Sequence, residues 1–318
     1  MALSIHTNYS SLVTQTNLNK TNNALSINQQ RLGTGFRINS AADDAAGLQI
    51  ATRLNAQSRG MAVAMRNTGD AISLLQTAEG AFSEMTDIVQ RMKDLATQAA
   101  NGTNSHDDRV ALQSEYDQLG EELGNIMANT TYAGEALFRR GATAGTEKFG
   151  AAVDFQIGAT SAETLSLNVG TKLTDLIGTA TTFGATPPAT WGTGLSGISA
   201  AYATAGTTGT ELADTLDGTG AVTVAADPNA AIDAINDVLD LIGDMRASFG
   251  ANINRLNHTS NNLANMKDNT DMAKGRITDA DFASESANMS KNSMLMQSGI
   301  SMLKQAGQMP GMVMSLLG

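Results

Sequence analysis

Several residue types are scarce in this chain of 318 residues, and each scarcity excludes a class of structure. The chain contains no cysteine, so disulfide bonds and thiolate metal sites are excluded. Aromatic residues make up only 4% of it, with Trp191 as the single tryptophan, although a compact globular core of this size usually uses more large rings. Its formal net charge of -11 argues against nucleic acid as a partner.

Signals for membrane insertion and for enzyme chemistry are also missing. Residues 1–15 lack the basic start and the apolar run of a cleavable signal. We therefore expect no membrane insertion, and a protein that is either cytosolic or exported by another route. The three histidines stand in unrelated contexts, and Gly192–Gly197 matches a dinucleotide-binding pattern by its letters alone. We accordingly expect no enzyme activity, no cofactor and no metal site.

Acidic residues are absent from both ends of the chain. Residues 1–40 contain three basic side chains and no carboxylate, and residues 286–318 contain two basic side chains and no carboxylate. Charges are costly to bury without partners, so ends with so few charges suit burial. Disordered polar tails would have the same composition, and this alternative stays open.

Heptad spacing predicts a first long helix. Ser40 followed by Asp43 is a plausible N-cap with acid in the first turn, so we expect the helix to start near residues 41–44. Apolar residues then recur every seven positions from Leu54, beside a second row of mostly small residues. The pattern stops at Asn101 and the glycine that follows it, which together are a good helix C-terminus.

Two further helices follow from the same kind of pattern. Ser105 with Asp108 three residues later is typical of a capping box, and it predicts a second helix that ends near Asn129. After Pro228, apolar residues again step by seven as far as Leu263 and predict a third long helix. A row this apolar needs a partner, and the first long helix is the obvious one.

The region between the second and third helices follows a different pattern. Alternating apolar and polar residues over 153–157 and 165–169 predict a β-hairpin. Residues 171–227 are rich in threonine and glycine, which indicates either a small β-rich domain or an irregular surface insertion. We expect residues 175–225 to lie on the surface and to be removable. Threonine and serine within 179–223 are candidates for O-glycosylation, at positions that the sequence does not specify.

Both ends of the chain carry apolar residues at heptad spacing but would be weak helices. The N-terminal end is full of Asn, Ser and Thr, and the C-terminal end contains Gly299, Gly307 and Pro310, so neither would hold as an isolated helix in water. We expect the two ends to pair with each other and with copies from other subunits. The candidate assembly residues are Leu18, Leu25, Leu32, Leu295, Met296, Met302, Leu303 and Met309.

Three stretches of the sequence resemble the bacterial flagellins. The stretch ALSIHTNYSSLVTQTNLNKTNNALSINQQRLGTGFRINSAADDAAGLQIA, residues 2–51, is similar to their N-terminal end. NRLNHTSNNL, residues 254–263, and SKNSMLMQSGISMLKQAGQMPGMVMSLL, residues 290–317, resemble their other end. Several long motifs in the right order make this resemblance specific, and it covers residues 1–140 and 230–318.

The resemblance implies a mainly α fold. Long antiparallel helical rods from both ends of the chain would form a coiled-coil-like bundle, with a β-hairpin and a small variable outer domain that is β-rich or irregular. The implied domains are terminal helices of the inner filament core at 1–40 and 284–318, a helical rod domain at 41–174 and 226–283 with its hairpin at about 132–169, and a surface-exposed outer domain at 175–225.

The implied function is structural. Such a subunit polymerises into the helical flagellar filament for swimming or swarming, after secretion through the flagellar type III export apparatus to the extracellular flagellum. The implied partners are copies of the chain itself, an export chaperone, the filament cap and hook-associated proteins. A hook–filament junction protein and a secreted adhesin that uses the Thr-rich middle are the alternatives.

The resemblance also implies particular residues. Gly33 and Gly35 would be the hinge between the inner helix and the outer rod. Residues 30–51 are similar to the flagellin segment that plant immune receptors recognise. A second stretch is similar to the segment that the vertebrate innate receptor recognises. The matching positions for that receptor are Arg91, Leu95 and the acidic partner Glu115.

Overall fold

The computed structural model describes residues 8–138, 147–177, 194–198, 209–216, 222–224 and 226–317. This part of the chain is mainly α, which confirms the predicted fold class. Its helices are α1 (Tyr9–Thr34), α2 (Ala45–Ala99), α3 (His106–Asn129), α4 (Gly170–Ile177), α5 (Leu195–Ile198), α6 (Pro228–Thr278) and α7 (Phe282–Leu317). Its strands form antiparallel pairs: β1 (Thr131–Tyr132) with β2 (Glu135–Ala136), β3 (Val153–Gln156) with β4 (Thr164–Leu167), and β5 (Thr215–Leu216) with β6 (Val222–Val224).

The chain divides into two compact units. Unit 1 consists of residues 1–59 and 266–318, and unit 2 consists of residues 60–265. The boundaries of the units fall within α2 and α6, so each of these two helices contributes residues to both.

Unit 2 contains a continuous apolar core, and the heptad rows predicted along α2 and α6 supply much of it. From Met61 to Ala99, every position of both α2 rows within this unit is buried, including the polar Thr68. The apolar row of α6 is buried from Ile235 to Leu263. The heptad predictions are therefore confirmed here, because side chains spaced by seven lie on one helix face and meet the same neighbours.

Four phenylalanines pack at the centre of this core. Neighbouring ring centroids lie 4.9 Å apart for Phe82 and Phe138, 5.7 Å for Phe82 and Phe249, and 5.3 Å for Phe149 and Phe249. Such tilted arrangements are favourable beyond the area they bury. A chain with few aromatic residues thus places four of them together.

The capping box predicted at the start of α3 is confirmed. Ser105 Oγ accepts a hydrogen bond from the backbone N–H of Asp108 (3.2 Å), and Asp108 Oδ2 accepts one from the backbone N–H of Ser105 (3.0 Å). The Ser105 hydroxyl also donates to Asp108 Oδ2, and this bond is the main cause that lowers the pKa of Asp108.

The cap of α2 differs from the prediction by one turn. Ser40 and Asp43 bond to each other in the turn before the helix, and the backbone N–H of Ser40 lowers the pKa of Asp43. Asp44 is the residue whose carboxylate accepts from the backbone N–H of Gly47 (2.8 Å), and α2 begins only at Ala45. The sequence pattern placed the N-cap at Ser40, four residues before the side chain that accepts from the first turn of the helix.

The predicted β-hairpin is confirmed as β3 and β4. Val153 pairs with Leu167 and Phe155 with Leu165, so the apolar side chains of the two strands share one face. Leu165 and Leu167 are buried in the core of unit 2. The strict alternation of apolar and polar residues correctly predicted the two strands.

The described residues of 175–225 correct the expectation of a wholly surface-exposed outer domain. Tyr116 on α3 donates its hydroxyl to the carbonyl of Ile198 (2.6 Å), and Gln113 Oε1 accepts from the backbone N–H of Leu212 (2.6 Å). Composition averaged over some fifty residues conceals a few apolar side chains that fill a core. Those that lie in the core of unit 2 are Leu176, Ile177, Leu195, Ile198 and Leu212.

Candidate assembly surface

The candidate site is the helix pair of unit 1, α1 with α7. Asn8 Nδ2 donates to the carbonyl of Ala306 (2.7 Å) near one end of the pair, and Arg31 Nη1 lies 3.0 Å from Glu285 Oε1 near the other. These two contacts show that the helices run antiparallel to each other. The pairing that the sequence predicted between the two ends of the chain is therefore confirmed.

The polar sequence of α1 is compatible with a helix because its side chains bond locally. Asn8 caps the N-terminus by accepting from the backbone N–H of Ser11 (3.1 Å). The hydroxyls of Thr14, Thr16 and Thr21 each donate to the carbonyl four residues earlier. α1 thus satisfies its threonine hydroxyls within the helix, although its composition is poor for helix formation.

Each of the two helices turns one heptad row of side chains toward the other helix. Their members are buried or half-buried, whereas most of their neighbours on the same helix are exposed. Along α1 the row is Ser11, Thr14, Leu18, Thr21, Leu25, Asn28 and Leu32. Along α7 it is Glu285, Met289, Asn292, Met296, Gly299, Leu303 and Ala306.

The predicted assembly residues fall into two groups. Leu18, Leu25 and Leu32 on α1, and Met296 and Leu303 on α7, are half-buried in the two facing rows. They hold the two helices of one chain together. The exposed members are Leu295 and Met302, and Met309 lies in α7 with its side chain outside the described part.

Exposed apolar side chains are concentrated in unit 1. Of the fifteen large apolar side chains that are exposed among the described residues, thirteen belong to this unit. Met302 is 62% exposed and Met294 is 65% exposed. On the α1–α7 pair they are Tyr9, Leu12, Val13, Ile27, Phe282, Met294, Leu295, Ile300 and Met302, which we call the assembly face.

Buried polar side chains in the pair were not predicted from the sequence. Among its described side chains only Asn28, Glu285 and Ala306 are buried, so two of the three are polar. One signal was available: Glu285 is the only carboxylate in α7, and α1 contains none. A lone acid beside helices with only basic charges indicates an ion pair.

The two predicted hinge glycines have different conformations. Gly33 lies inside α1, whereas Gly35 caps its C-terminus with φ of 74°, in the left-handed region that glycine adopts without strain. The chain then bonds to the turn between α6 and α7: the N–H of Arg37 donates to the carbonyl of Thr278 (2.7 Å), and the N–H of Ala280 donates to that of Gly35 (2.9 Å). The change of direction therefore occurs at Gly35.

The residues matched to vertebrate recognition are only partly on the surface. Arg91 on α2 donates through Nε (2.9 Å) and Nη2 (2.6 Å) to Glu115 Oε1 on α3, and both side chains are about half exposed. Leu95 is 1% exposed and belongs to the core of unit 2. Leu95 can support this surface by packing, but it does not offer a contact of its own.

Membrane-spanning helices and metal-binding clusters are absent from the described part of the chain. None of its helices has the length and apolar character needed to cross a bilayer. Within the same residues, no group of three acidic or histidine side chains is arranged to hold a metal ion. The O-glycosylation expected within 179–223 falls mostly on residues outside the described part.

Comparisons with known proteins point to one family. Family profiles for the bacterial flagellin N-terminal and C-terminal helical regions match residues 5–143 and 232–317. The chain is 35% identical to polar flagellin C of Vibrio parahaemolyticus and 36% identical to flagellin A of Vibrio anguillarum, with all of each chain covered. A solved structure described as a flagellar hook-associated protein of Vibrio parahaemolyticus is 14% identical, with a TM-score of 0.50 over 74% of this chain and 100% of that one, and shows the fold alone.

Proposed function

The chain belongs to the bacterial flagellins, and from this premise we propose that the assembly face on α1 and α7 carries the contacts through which its copies polymerise. A flagellin is a structural subunit of the flagellar filament and not an enzyme. Its function is therefore self-association, and contacts between unlike faces of neighbouring copies build an open helical polymer.

The observation that supports this proposal is the concentration of exposed apolar side chains on one helix pair. Leu12 and Val13 on α1, and Leu295 and Met302 on α7, are at least 40% exposed. Burying apolar surface contributes about 25 cal/mol per Å², so covering these side chains by another copy would favour association. The same helices contain few charges, which would otherwise oppose burial.

The test is a charge placed on the assembly face. Met302→Asp should abolish or strongly reduce filament formation, because a carboxylate buried between copies without a partner is strongly unfavourable. The matched control is Gln297→Asp, which adds the same charge at an exposed polar position of the same helix. Filaments are measured by sedimentation and negative-stain imaging after addition of a polymerisation seed.

The unfolding of unit 2 shows whether the variants remain folded. Both variants should unfold like the parent, since neither position lies in the core of unit 2. Filaments from Met302→Asp at the parent yield would contradict the proposal. Equal loss of filaments from Gln297→Asp would mean that added charge, and not the apolar face, controls assembly.

Export and the other flagellar partners belong to the same proposal. The family supports secretion through the flagellar type III apparatus to the extracellular flagellum, with an export chaperone, the filament cap and hook-associated proteins as partners. A bacterial strain that lacks the export gate should retain the chain inside the cell, and a strain that lacks the cap should release it unpolymerised. Normal surface filaments in either strain would contradict this route.

A second proposed activity is recognition by host innate immune receptors. The support is the exposed pair of Arg91 and Glu115, which joins α2 to α3 on the surface of unit 2. An exposed ion pair contributes less than about 1 kcal/mol to stability, so its removal should leave the fold intact. Arg91→Ala should therefore lower the signal of monomer in receptor reporter cells, and the exposed neighbour Asp94→Ala serves as the control. Equal signals from parent and Arg91→Ala would contradict the assignment.

A further inference from the structure

We propose that a polar cluster, made of the buried Asn28 and Glu285 and the half-buried Arg31 and Asn292, fixes the axial position of α7 against α1. We call these four residues the register cluster. By fixing this position, the cluster aligns the part of the assembly face on α1 with the part on α7. The first statement concerns a single chain and is independent of polymerisation. The second rests on the assembly surface proposed above.

The apolar residues of the pair cannot fix this position by themselves. The leucines of the α1 row recur every seven residues at Leu18, Leu25 and Leu32, and Met289, Met296 and Leu303 recur in the same way on α7. A slide by one heptad, about 10.5 Å, would bring equivalent side chains opposite each other again. Methionine adapts to such changes because its side chain is flexible.

The charges of the two helices do not repeat in this way. Glu285 is the only carboxylate of α7, and the only cations of α1 are Lys20 and Arg31. Glu285 is 8% exposed, and its Oε1 lies 3.0 Å from Arg31 Nη1. A slide of one heptad in either direction would separate this pair. A slide toward the N-terminus of α1 would also keep Glu285 inside the helix pair without its cation, which is strongly unfavourable.

The amides complete the cluster. With its amide oriented to suit its neighbours, the buried Asn28 donates to Glu285 Oε2 (3.2 Å) and accepts from Asn292 Nδ2 (3.1 Å). Both oxygens of Glu285 therefore have a donor on α1. A polar side chain buried between heptad-patterned helices commonly specifies one register at some cost in stability.

The consequence for assembly is geometric. Leu12 and Val13 belong to α1, whereas Leu295 and Met302 belong to α7, so their relative height depends on the register. A slide of one heptad would displace one half of the assembly face by about 10.5 Å relative to the other. A neighbouring copy that fits one arrangement would then not fit the other.

A different feature could also set the register. The backbone bonds of Gly35 and Arg37 to the turn between α6 and α7 hold the beginning of α7 in place. These bonds involve no side-chain charge, so variants of the register cluster leave them unchanged. The experiment must therefore separate the two explanations.

Cysteine cross-links can report the register because the natural chain contains no cysteine. A methyl group at Gly299 would lie 3.1 Å from Leu18 Cδ1, so Gly299→Cys with Leu18→Cys reports the observed register. Gly299→Cys with Ser11→Cys or with Leu25→Cys reports a slide of one heptad in either direction. Mild oxidation of the soluble full chain, followed by mass analysis of the cross-linked peptides, measures the three yields.

The variants change the charge of the cluster and then restore it. When the register cluster is unchanged, which is the parent state, the cross-link between Gly299→Cys and Leu18→Cys should have the highest yield of the three. Arg31→Glu should lower its yield relative to the two slipped pairs by about tenfold, as expected for a strongly coupled contact. The double swap of Arg31→Glu with Glu285→Arg should restore most of the parent pattern. Lys20→Glu and Lys291→Glu, at exposed positions, are the controls and should change nothing.

Several results would overturn the register claim. No preference among the three pairs in the parent would do so, and so would a parent pattern in Arg31→Glu, which would assign the register to the backbone bonds. Loss of all three cross-links in Arg31→Glu would show that the cluster holds the helices together without selecting their register.

Filament yield tests the link to assembly separately. Arg31→Glu should lose filaments and the double swap should regain them. A swap that restores the register but not the filaments would refute this link. Normal filaments from Met302→Asp would instead refute the proposed assembly face, whatever the cross-links show.

Discussion

The two compact units bury different kinds of side chain. Unit 2 packs Phe82, Phe138 and Phe249 against one another at its centre and leaves them no more than 1% exposed. In the α1–α7 pair of unit 1, the buried residues include Asn28 and Glu285, while large apolar side chains point to solvent. One chain thus contains one region that buries its own apolar residues and another that exposes them.

This difference separates folding from assembly. Unit 2 gains the free energy of apolar burial within one chain. It should therefore be stably folded in a subunit that is not part of a polymer. Under the proposed function, the helix pair of unit 1 gains this free energy only in contact with other copies. Variants in each region can test this division.

Removing one ring from the core of unit 2 should have the largest effect. Phe82→Ala should lower the free energy of unfolding by about 3–5 kcal/mol, since it removes a fully buried ring and leaves a cavity. Phe36→Ala in unit 1 is the matched control and should change it little, because Phe36 is largely exposed. Guanidinium unfolding followed by circular dichroism measures both. Equal losses would contradict the difference between the units.

A substitution in the middle of the chain should lower the free energy of unfolding nearly as much. Leu212→Ala should cost about 2–5 kcal/mol, because Leu212 is fully buried in the core of unit 2 although it lies in a Thr- and Gly-rich stretch. Val110→Ala, at an exposed position of α3, is the control.

The same reasoning predicts the effect of a deletion. Joining Asp175 to Asp227 through a short linker should destabilise unit 2, since the deletion removes Leu212 and the carbonyl that accepts from Tyr116. A deletion variant as stable as the parent would show that these contacts contribute little.

Periodicity explains how much of this fold the sequence could predict. Residue spacing alone predicted the buried heptad rows of α2 and α6, which end at Ala99 and Leu263, and the hairpin that contains Phe155. It could do so because the position of a residue along a helix or strand determines the face on which its side chain lies. The pairing of the chain ends followed from their matching heptads. These features are local or repeat many times.

The misplaced and missed features depend on single contacts between distant residues. Leu212 lies in the core of unit 2, and its backbone N–H donates to Gln113, which is 99 positions away in the sequence. No local sequence pattern marks this residue as buried. Leu95 matched a recognition motif, yet its helical position turns it into the core. The pairing of Arg31 with Glu285 across 254 positions gives no periodic signal, so it was not predicted.

A smaller effect is expected at the cap of α3. Ser105→Ala should cost about 1 kcal/mol, since the first turn loses one acceptor for its backbone N–H groups. Bonds from Ser105 lower the pKa of Asp108, so their stabilisation is present at neutral pH and is lost as the pH falls below about 4. The difference in Tm between parent and Ser105→Ala should therefore shrink in acid. Asp107→Ala is the control, and an unchanged difference at low pH would contradict this account.

The smallest effect is expected where α3 meets the middle segment. Burial raises the pKa of Asp117, against the opposing bonds from Gln113 and from the N–H of Gly209. A raised pKa stabilises the fold at acid pH, and this contribution is lost as the pH rises through the folded value. Asp117→Asn removes this dependence and can keep an acceptor for Gly209. The Tm of the variant minus that of the parent should rise from about pH 3 to pH 7, and a constant difference would contradict the assignment.

Hydrogen exchange of the free subunit and of the filament tests the division between folding and assembly most directly. Amides of α1 and α7 should gain protection strongly on polymerisation, because copies cover the assembly face. Amides around Phe82 and Phe249 should exchange equally slowly in both states, since unit 2 buries its core within one chain. Protection gained mainly in the core of unit 2, with none gained in α1 and α7, would contradict the account.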